Sequence, residues 1–284
     1  MTAYIVPNLS KAKTMDTARA AAEILQRHGC DVLWDTEVSA QCGAAEAACL
    51  PVSECLARAD VILTVGGDGT ILHEAPLALE RQTPILGINV GRCGFLATCE
   101  VAEMEEKLAL VAAHRFHLDT RALLDVQITD GTFSRRESAL NDMVVYNGRL
   151  LRTVDYRILC DQSPVEQFSG DGVIVATPTG STAYSLSAGG PIVDSQTKAL
   201  VLTPICPHSL QASAMVFSPE RTLDIEIGDI FSDEVLVSCD GRPGMPLHTG
   251  AKIEVTLSEK QIHLITFGRA DQFEAIDLKL RSRR

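Results

Sequence analysis

Val61-Ile62-Leu63-Thr64-Val65-Gly66-Gly67-Asp68-Gly69-Thr70 is the stretch that decides how this chain is read. Its first five residues are apolar or β-branched throughout, the composition of a strand covered by helices on both faces of a parallel sheet. Gly66 and Gly67 break the run, and Ile71, Leu72, Ala75 and Leu79 then recur at helical spacing. Strand, glycine turn and helix make a βα unit, and open α/β sheets bind ligands at the carboxyl ends of their strands. Glycines there let backbone N–H groups reach phosphate oxygens, and the helix N-terminus adds a positive dipole end. The turn lacks the Gly-Lys-Ser/Thr of a Walker loop, and Leu72 stands where the third glycine of a dinucleotide fingerprint belongs, so ordinary hydride transfer is not supported. Asp68 is out of place beside a phosphate unless a metal ion or a hydroxyl proton lies between them. It is therefore read as a proton acceptor for a substrate hydroxyl or as a partner of magnesium, the two roles that phosphoryl transfer employs. An isolated Asp-Gly would read as a tight turn; the flanking glycines and the βα context argue for a site.

Working outward, the first third is a series of βα units. Tyr4–Pro7 and Asp31–Trp34 read as strands, and between them Ala18, Ala21, Ala22 and Leu25 share one helical face, with Asp16 as its cap and Gly29 as its stop. A further strand, Ile85–Asn89, and a helix over Met104–His114 close the region. From about Leu118 the pattern changes to alternation in short, turn-bounded runs, as at Val144–Tyr146, Val154–Leu159, Val173–Ala176, Leu223–Ile227, Val235–Ser238 and Ile253–Leu257. Asp130-Gly131 is a hairpin turn. Ile262–Phe267 and the tail through Leu280 regain helical character. The division is thus residues 1–117 as an α/β domain, 118–265 as a β-rich domain, and 266–284 packing back on the first.

The 284 residues suit two domains better than one core. Lys and Arg number 25 against 37 Asp and Glu, a net charge of −12, which argues against nucleic acid as a partner. No run approaches the roughly 18 apolar residues of a membrane span, and Met1–Pro7 lacks the features of a secretory signal, so the expectation is a cytoplasmic protein with no membrane partner. The nine cysteines, an odd number without a C-x-x-C pair, read as thiols of a reducing compartment.

Three further segments carry chemistry. Thr177-Pro178-Thr179-Gly180-Ser181-Thr182-Ala183-Tyr184-Ser185-Leu186-Ser187 is rich in hydroxyls, follows an apolar strand and runs into Ala188-Gly189-Gly190-Pro191, so it reads as a built loop suited to a purine or ribose rather than a solvated linker. Asn141-Asp142, directly before an apolar strand, pairs an amide able to read base edges with a carboxylate able to take hydroxyl protons; alone it would read as a turn. Asp171-Gly172 leads into the hydroxyl-rich segment, and Asp240-Gly241 is left undecided. His73 and Arg152 stand near these motifs as basic groups able to reach a phosphate.

Taken together, GGDGT at Gly66–Thr70, Asn141-Asp142 and Ser169-Gly170-Asp171-Gly172 continuing through TPTGSTAYSLSAGGP resemble the motifs of the NAD kinases. The first element is shared with diacylglycerol and sphingosine kinases and phosphofructokinases; the segment ending at Pro191 is far more specific. The resemblance implies an N-terminal Rossmann-like α/β domain, a β-sandwich NAD-binding domain and a C-terminal tail returning to the first. It implies transfer of the γ-phosphoryl of ATP, or of polyphosphate, to the 2′-hydroxyl of the adenosine ribose of NAD, with a divalent cation such as Mg²⁺. It makes Asp68 the catalytic base, Gly66, Gly67, Gly69 and Thr70 the phosphate loop, and Gly69, His73, Asn141, Asp142, Arg152, Asp171 and Thr182, Ala183, Tyr184, Ser185, Leu186 and Ser187 NAD-binding positions alongside Asp68. Ser169 stands where the family often has His or Arg. A homodimer or homotetramer built partly through the β-rich domain is expected. The competing readings are a lipid kinase of the same superfamily and a non-catalytic NAD(P) sensor.

Overall fold

The computed structural model describes residues 1–11, 13–45, 48–91, 94–131, 133–148, 153–209, 212–228 and 235–268. The chain divides into two compact units, Met1–Thr120 with the chain from Gln261, and Arg121–Lys260.

The first unit contains β1 (Thr2–Pro7), α1 (Thr14–Arg27), β2 (Asp31–Asp35), α2 (Ser39–Cys42), β3 (Cys49–Leu50), α3 (Val52–Arg58), β4 (Val61–Gly66), α4 (Asp68–Leu79), β5 (Ile85–Asn89), β6 (Cys99–Glu100) and α5 (Met104–Ala112). Its strands run parallel in the order β3-β2-β1-β4-β5, with β6 beyond β5. Every residue of β4 is buried, as a strand covered on both faces requires. Keeping each of Ile62, Leu63 and Val65 from water is worth roughly 1.5–3 kcal/mol. The chain order reverses at β1 and β4, whose carboxyl ends are tied by the Asn8 N–H donating to Val65 O at 2.9 Å. That reversal is the position where such sheets bind ligands.

α1 begins at Thr14, two residues ahead of Asp16, with Lys13 at φ 69° in the N-cap position and no side-chain cap. Asp16 therefore adds charge to the first turn instead of capping it. The shared face predicted for α1 is buried, and Gly29 ends the helix at φ 78°.

The second unit is almost entirely antiparallel. It takes in β7 (His117–Asp130), β8 (Phe133–Ala139), β9 (Asp142–Asn147), β10 (Val154–Cys160), β11 (Ser163–Gly170), β12 (Gly172–Ala176), the short α6 (Tyr184–Ser187), β13 (Leu200–Ile205), β14 (Met215–Phe217), β15 (Leu223–Ile227), β16 (Val235–Cys239), β17 (Met245–Leu247) and β18 (Lys252–Thr266). One sheet has the order β14-β13-β12-β9-β16-β17; in the other, β11-β10-β15 continues into β18 and β7 pairs with β8. Inward residues of both sheets, among them Val145, Val173, Val237, Tyr156, Ile225 and Ile253, form one core.

β18 corrects the helical reading of Ile262–Phe267. The alternation begun at Ile253 carries on to Thr266, and Leu264 pairs in parallel with Ile85, so strand pairing overrides the local pattern. The tail from residue 269, expected to pack back on the first unit, lies outside the described residues. No helix among the described residues is long and apolar enough to cross a membrane.

Candidate active site

In the first unit, the glycine turn joins β4 to α4 with Asp68 in the first helical turn. The Asp68 carboxylate accepts three consecutive backbone N–H groups: Phe95 on Oδ2 at 2.7 Å, and Leu96 and Ala97 on Oδ1 at 3.0 and 3.1 Å. The preceding Gly94 is required by this approach, because a Cβ there would lie 2.1 Å from Asp68 Oδ1. The carboxylate is thereby fixed in one orientation at the carboxyl end of the sheet.

Around it, Asn8 Nδ2 donates to Thr70 Oγ1 at 3.3 Å and the Thr70 N–H donates to Gly67 O at 3.0 Å. Thr70 thus serves the loop's own geometry, leaving the backbone of Gly67, Asp68 and Gly69 as the orphan donors of the helix start. Sequence reasoning missed Lys11. Its Nζ lies 3.3 Å from where a Cβ on Gly67 would stand and 3.7 Å from the equivalent point on Gly91. The β1–α1 loop therefore lays a cation over the glycine turn, a placement that the −12 overall charge hides.

Beside the turn is a cleft of about 470 Å³ whose lining includes Asn8, Asp35, Glu37, Gly69, Thr70, His73 and Glu74. His73 is exposed, with Nδ1 2.9 Å from Glu74 Oε1. Glu74 is buried and, among the described residues, its Oε2 has no partner. Burial pushes the Glu74 carboxyl up from the usual range, against the opposing hydrogen bond from His73.

In the second unit, Asn141-Asp142 forms the corner that opens β9, and Asp240, in the turn after β16, holds it. The Asp240 carboxylate accepts Leu140 N–H and Asn141 N–H at 2.7 Å each and Asp142 N–H at 3.2 Å, while its own N–H donates to Asp142 O at 2.9 Å. Asp240 at φ 52° and Gly241 at φ 68° turn the chain to make this possible. The residue left undecided from sequence is thus the anchor of the Asn141-Asp142 pair. Asp142 is buried, and burial first, then the negative charge of Asp240, pushes its carboxyl up to about 7.

The same corner interlocks with the hydroxyl-rich loop. Thr177 N–H donates to Asn141 O at 2.9 Å and Thr177 Oγ1 to Leu140 O at 2.6 Å. Gly180 passes so close that a Cβ would stand 2.0 Å from Asn141 O. Several hydroxyls hold the loop itself: Ser181 Oγ donates to Pro178 O at 2.7 Å, Thr182 Oγ1 to Thr179 O at 3.3 Å, and Ser185 Oγ shares a 2.9 Å bond with Thr203 Oγ1. What the loop presents outward is exposed Tyr184 and Ser187 with half-buried Ala183 and Leu186. Burial, then Cys206, Asp171 and Asp142, raises the Tyr184 phenol, so these acidic groups share its neighbourhood. Ser169 Oγ is engaged by Asp155 Oδ1 across β10 and β11. Arg152 lies outside the described residues.

Comparison with known proteins adds a second line. Residues 4–116 match the ATP-NAD kinase N-terminal domain and residues 140–267 the ATP-NAD kinase C-terminal domain. The NAD kinase of Desulforamulus reducens is 34% identical over 278 residues, covering 98% of this chain and 96% of that protein. That of Trichlorobacter lovleyi is 35% identical over 258 residues, 90% of each. Among solved structures, yeast NADH kinase complexed with NADH superposes with a TM-score of 0.88 at 26% identity, covering 99% of this chain and 87% of that one. An NAD kinase from Archaeoglobus fulgidus in complex with ATP gives 0.74 at 26% identity, covering 99% of both chains.

Proposed function

The chain belongs to the NAD kinase family, and we propose how its own residues divide the work of that family's reaction. The reaction moves the γ-phosphoryl of ATP to the 2′-hydroxyl of the adenosine ribose of NAD and yields NADP; the enzyme is a phosphotransferase with an alcohol acceptor. The lipid-kinase and non-catalytic readings find no support in the matches.

Asp68 is the base. As the 2′-oxygen bonds to the γ-phosphorus and the bridge to the β-phosphate breaks, the hydroxyl proton passes to the Asp68 carboxylate and ADP leaves. The three-donor clamp from Phe95, Leu96 and Ala97 is the observation that carries this assignment, since a general base must be held within hydrogen-bond reach of the proton it takes. The helix start at Gly67–Gly69 and Lys11 meet the donor's phosphates, and the adjoining cleft, with His73 at its edge, receives the rest of the donor. Asn141, Asp142, Asp171 and the outward residues Ala183, Tyr184, Leu186 and Ser187 hold the dinucleotide, with Thr182 and Ser185 shaping the loop that presents them.

Among the described residues no three His, Cys, Asp or Glu side chains are grouped to hold a resident ion. The divalent cation, magnesium by its preference for phosphate oxygens, belongs to the MgATP substrate. Cytoplasmic location and a homodimer or homotetramer complete the proposal; light scattering that returned a monomer would remove the oligomer from it.

The test is a coupled assay of NADP formation with ATP varied against polyphosphate and NAD against NADH, run on the wild type and on Asp68→Asn. The variant is expected to fold, to bind NAD and to lose turnover by about 10³-fold. Near-normal NADP formation by it would remove Asp68 from the role.

A further inference from the structure

Two thiols outside the nucleotide machinery stand in contact. Cys42 ends α2 and Cys49 opens β3, and their Sγ atoms are 3.6 Å apart. Cys42 is buried and donates to Ser39 O at 3.4 Å, whereas Cys49 is half-buried and so reachable from solvent. Gly43, at φ 73°, turns the chain back after Cys42. The buried thiol of Cys55 is otherwise occupied, donating to Trp34 O at 3.3 Å. Disulfide bonding brings sulfurs to about 2.05 Å, a further approach of about 1.5 Å.

We propose that Cys42 and Cys49 form a reversible disulfide, a redox modification site on the α/β unit. The oxidant is a small disulfide. The Cys49 thiolate attacks one of its sulfurs; the Cys49–sulfur bond forms, the reagent's S–S bond breaks, and the departing thiolate takes a proton. Cys42 then attacks the Cys49 sulfur, closing the intramolecular bond and releasing the second small thiol with the second proton. Two protein thiols lose two electrons and the reagent gains them. The site follows from the sulfur contact and does not rest on the nucleotide reading.

Its consequence does rest on that reading. Glu37 and Val38 before the bridge and Val52 after it line the cleft beside Gly69 and Thr70, so the cross-link fixes one wall of the region assigned to the donor.

The full-length protein is treated with oxidised glutathione, its remaining thiols are alkylated after unfolding, and its peptides are mapped by mass spectrometry. The Cys42 and Cys49 peptides are expected joined and about 2 mass units lighter than the two thiol forms together, and to separate on reduction. The bridged protein is expected to change its KM for ATP by about threefold while the KM for NAD holds, and Cys49→Ser to show neither effect. Alkylation of both cysteines, or separate glutathione caps on each while exposed Cys206 reacts, would overturn the proposal. A bridged protein with the reduced protein's KM for ATP would overturn its link to the cleft.

Discussion

Asp68 in the α/β unit and Asp240 in the β-rich unit each gather three consecutive backbone N–H groups, those of residues 95–97 and 140–142. The two clamps are alike in chemistry and opposite in purpose. Asp68 sits in the first turn of α4 beside two glycines, so the loop holds the carboxylate and leaves it poised at the sheet's carboxyl end. Asp240 sits in a left-handed turn with burial pushing its carboxyl up, and there the carboxylate holds the backbone that carries Asn141 and Asp142. The same three-donor motif therefore fixes a carboxylate in one unit and a backbone corner in the other.

After loss of the Asp68 carboxylate itself, the largest effect that sharpens this contrast is expected at Gly94. Gly94→Ala puts a methyl against Asp68 Oδ1, so kcat should fall about 100-fold with Tm changed little, because a base displaced by about 1 Å loses its alignment. Stopped-flow or coupled NADP assays check it, and an unchanged kcat would mean the clamp does not set the geometry.

At the other clamp, Gly180→Ala drives a Cβ into Asn141 O and should lower stability by about 3 kcal/mol in urea unfolding, with a raised KM for NAD.

Asp142 gives the second unit a pH signature. With its carboxyl near 7, ionisation is complete only above that pH, so if the carboxylate accepts ribose hydroxyls, NAD affinity is full above 7 and is lost as pH falls. The KM for NAD should then rise by up to about tenfold per pH unit below 7, and Asp142→Asn should flatten the profile. Stability runs the other way. The neutral acid favours the folded state at low pH and that contribution fades as pH rises through about 7, so Asp142→Asn should gain Tm relative to wild type across the same interval.

The smallest effect belongs to Lys11. Lys11→Met should raise the KM for ATP about fivefold, with the difference shrinking at high salt, while the KM for NAD stays put.

How much of this was legible in the sequence follows from the range of the interactions. The apolar run of β4 and its glycine turn announce themselves because burial on both faces needs nothing but local composition. The Asn141-Asp142 pair and the hydroxyl-rich loop were visible as residue types, but not that Ser181 and Thr182 spend their hydroxyls on the loop itself and Thr177 and Ser185 theirs on tying it to the Asn141 corner and to β13. The partners of Asp68 lie 27 to 29 residues away and those of Asp240 98 to 100, and only strand pairing brings them together. Lys11 was hidden for the same reason, arriving over Gly67 through the packing of β1 against β4. β13, Leu200–Ile205, went unread, and the end of β18 was misread because its fate depends on pairing with β5.

The division between the two clamps is tested most directly by one paired measurement: kcat and the NAD dissociation constant for Asp68→Asn and Asp240→Asn side by side. Asp68→Asn should lose about 10³ in kcat with NAD binding held within about threefold. Asp240→Asn should weaken NAD binding by about tenfold or more, with kcat at saturation largely retained. Loss of the same parameter in both variants, or a catalytically competent Asp68→Asn, would contradict that division.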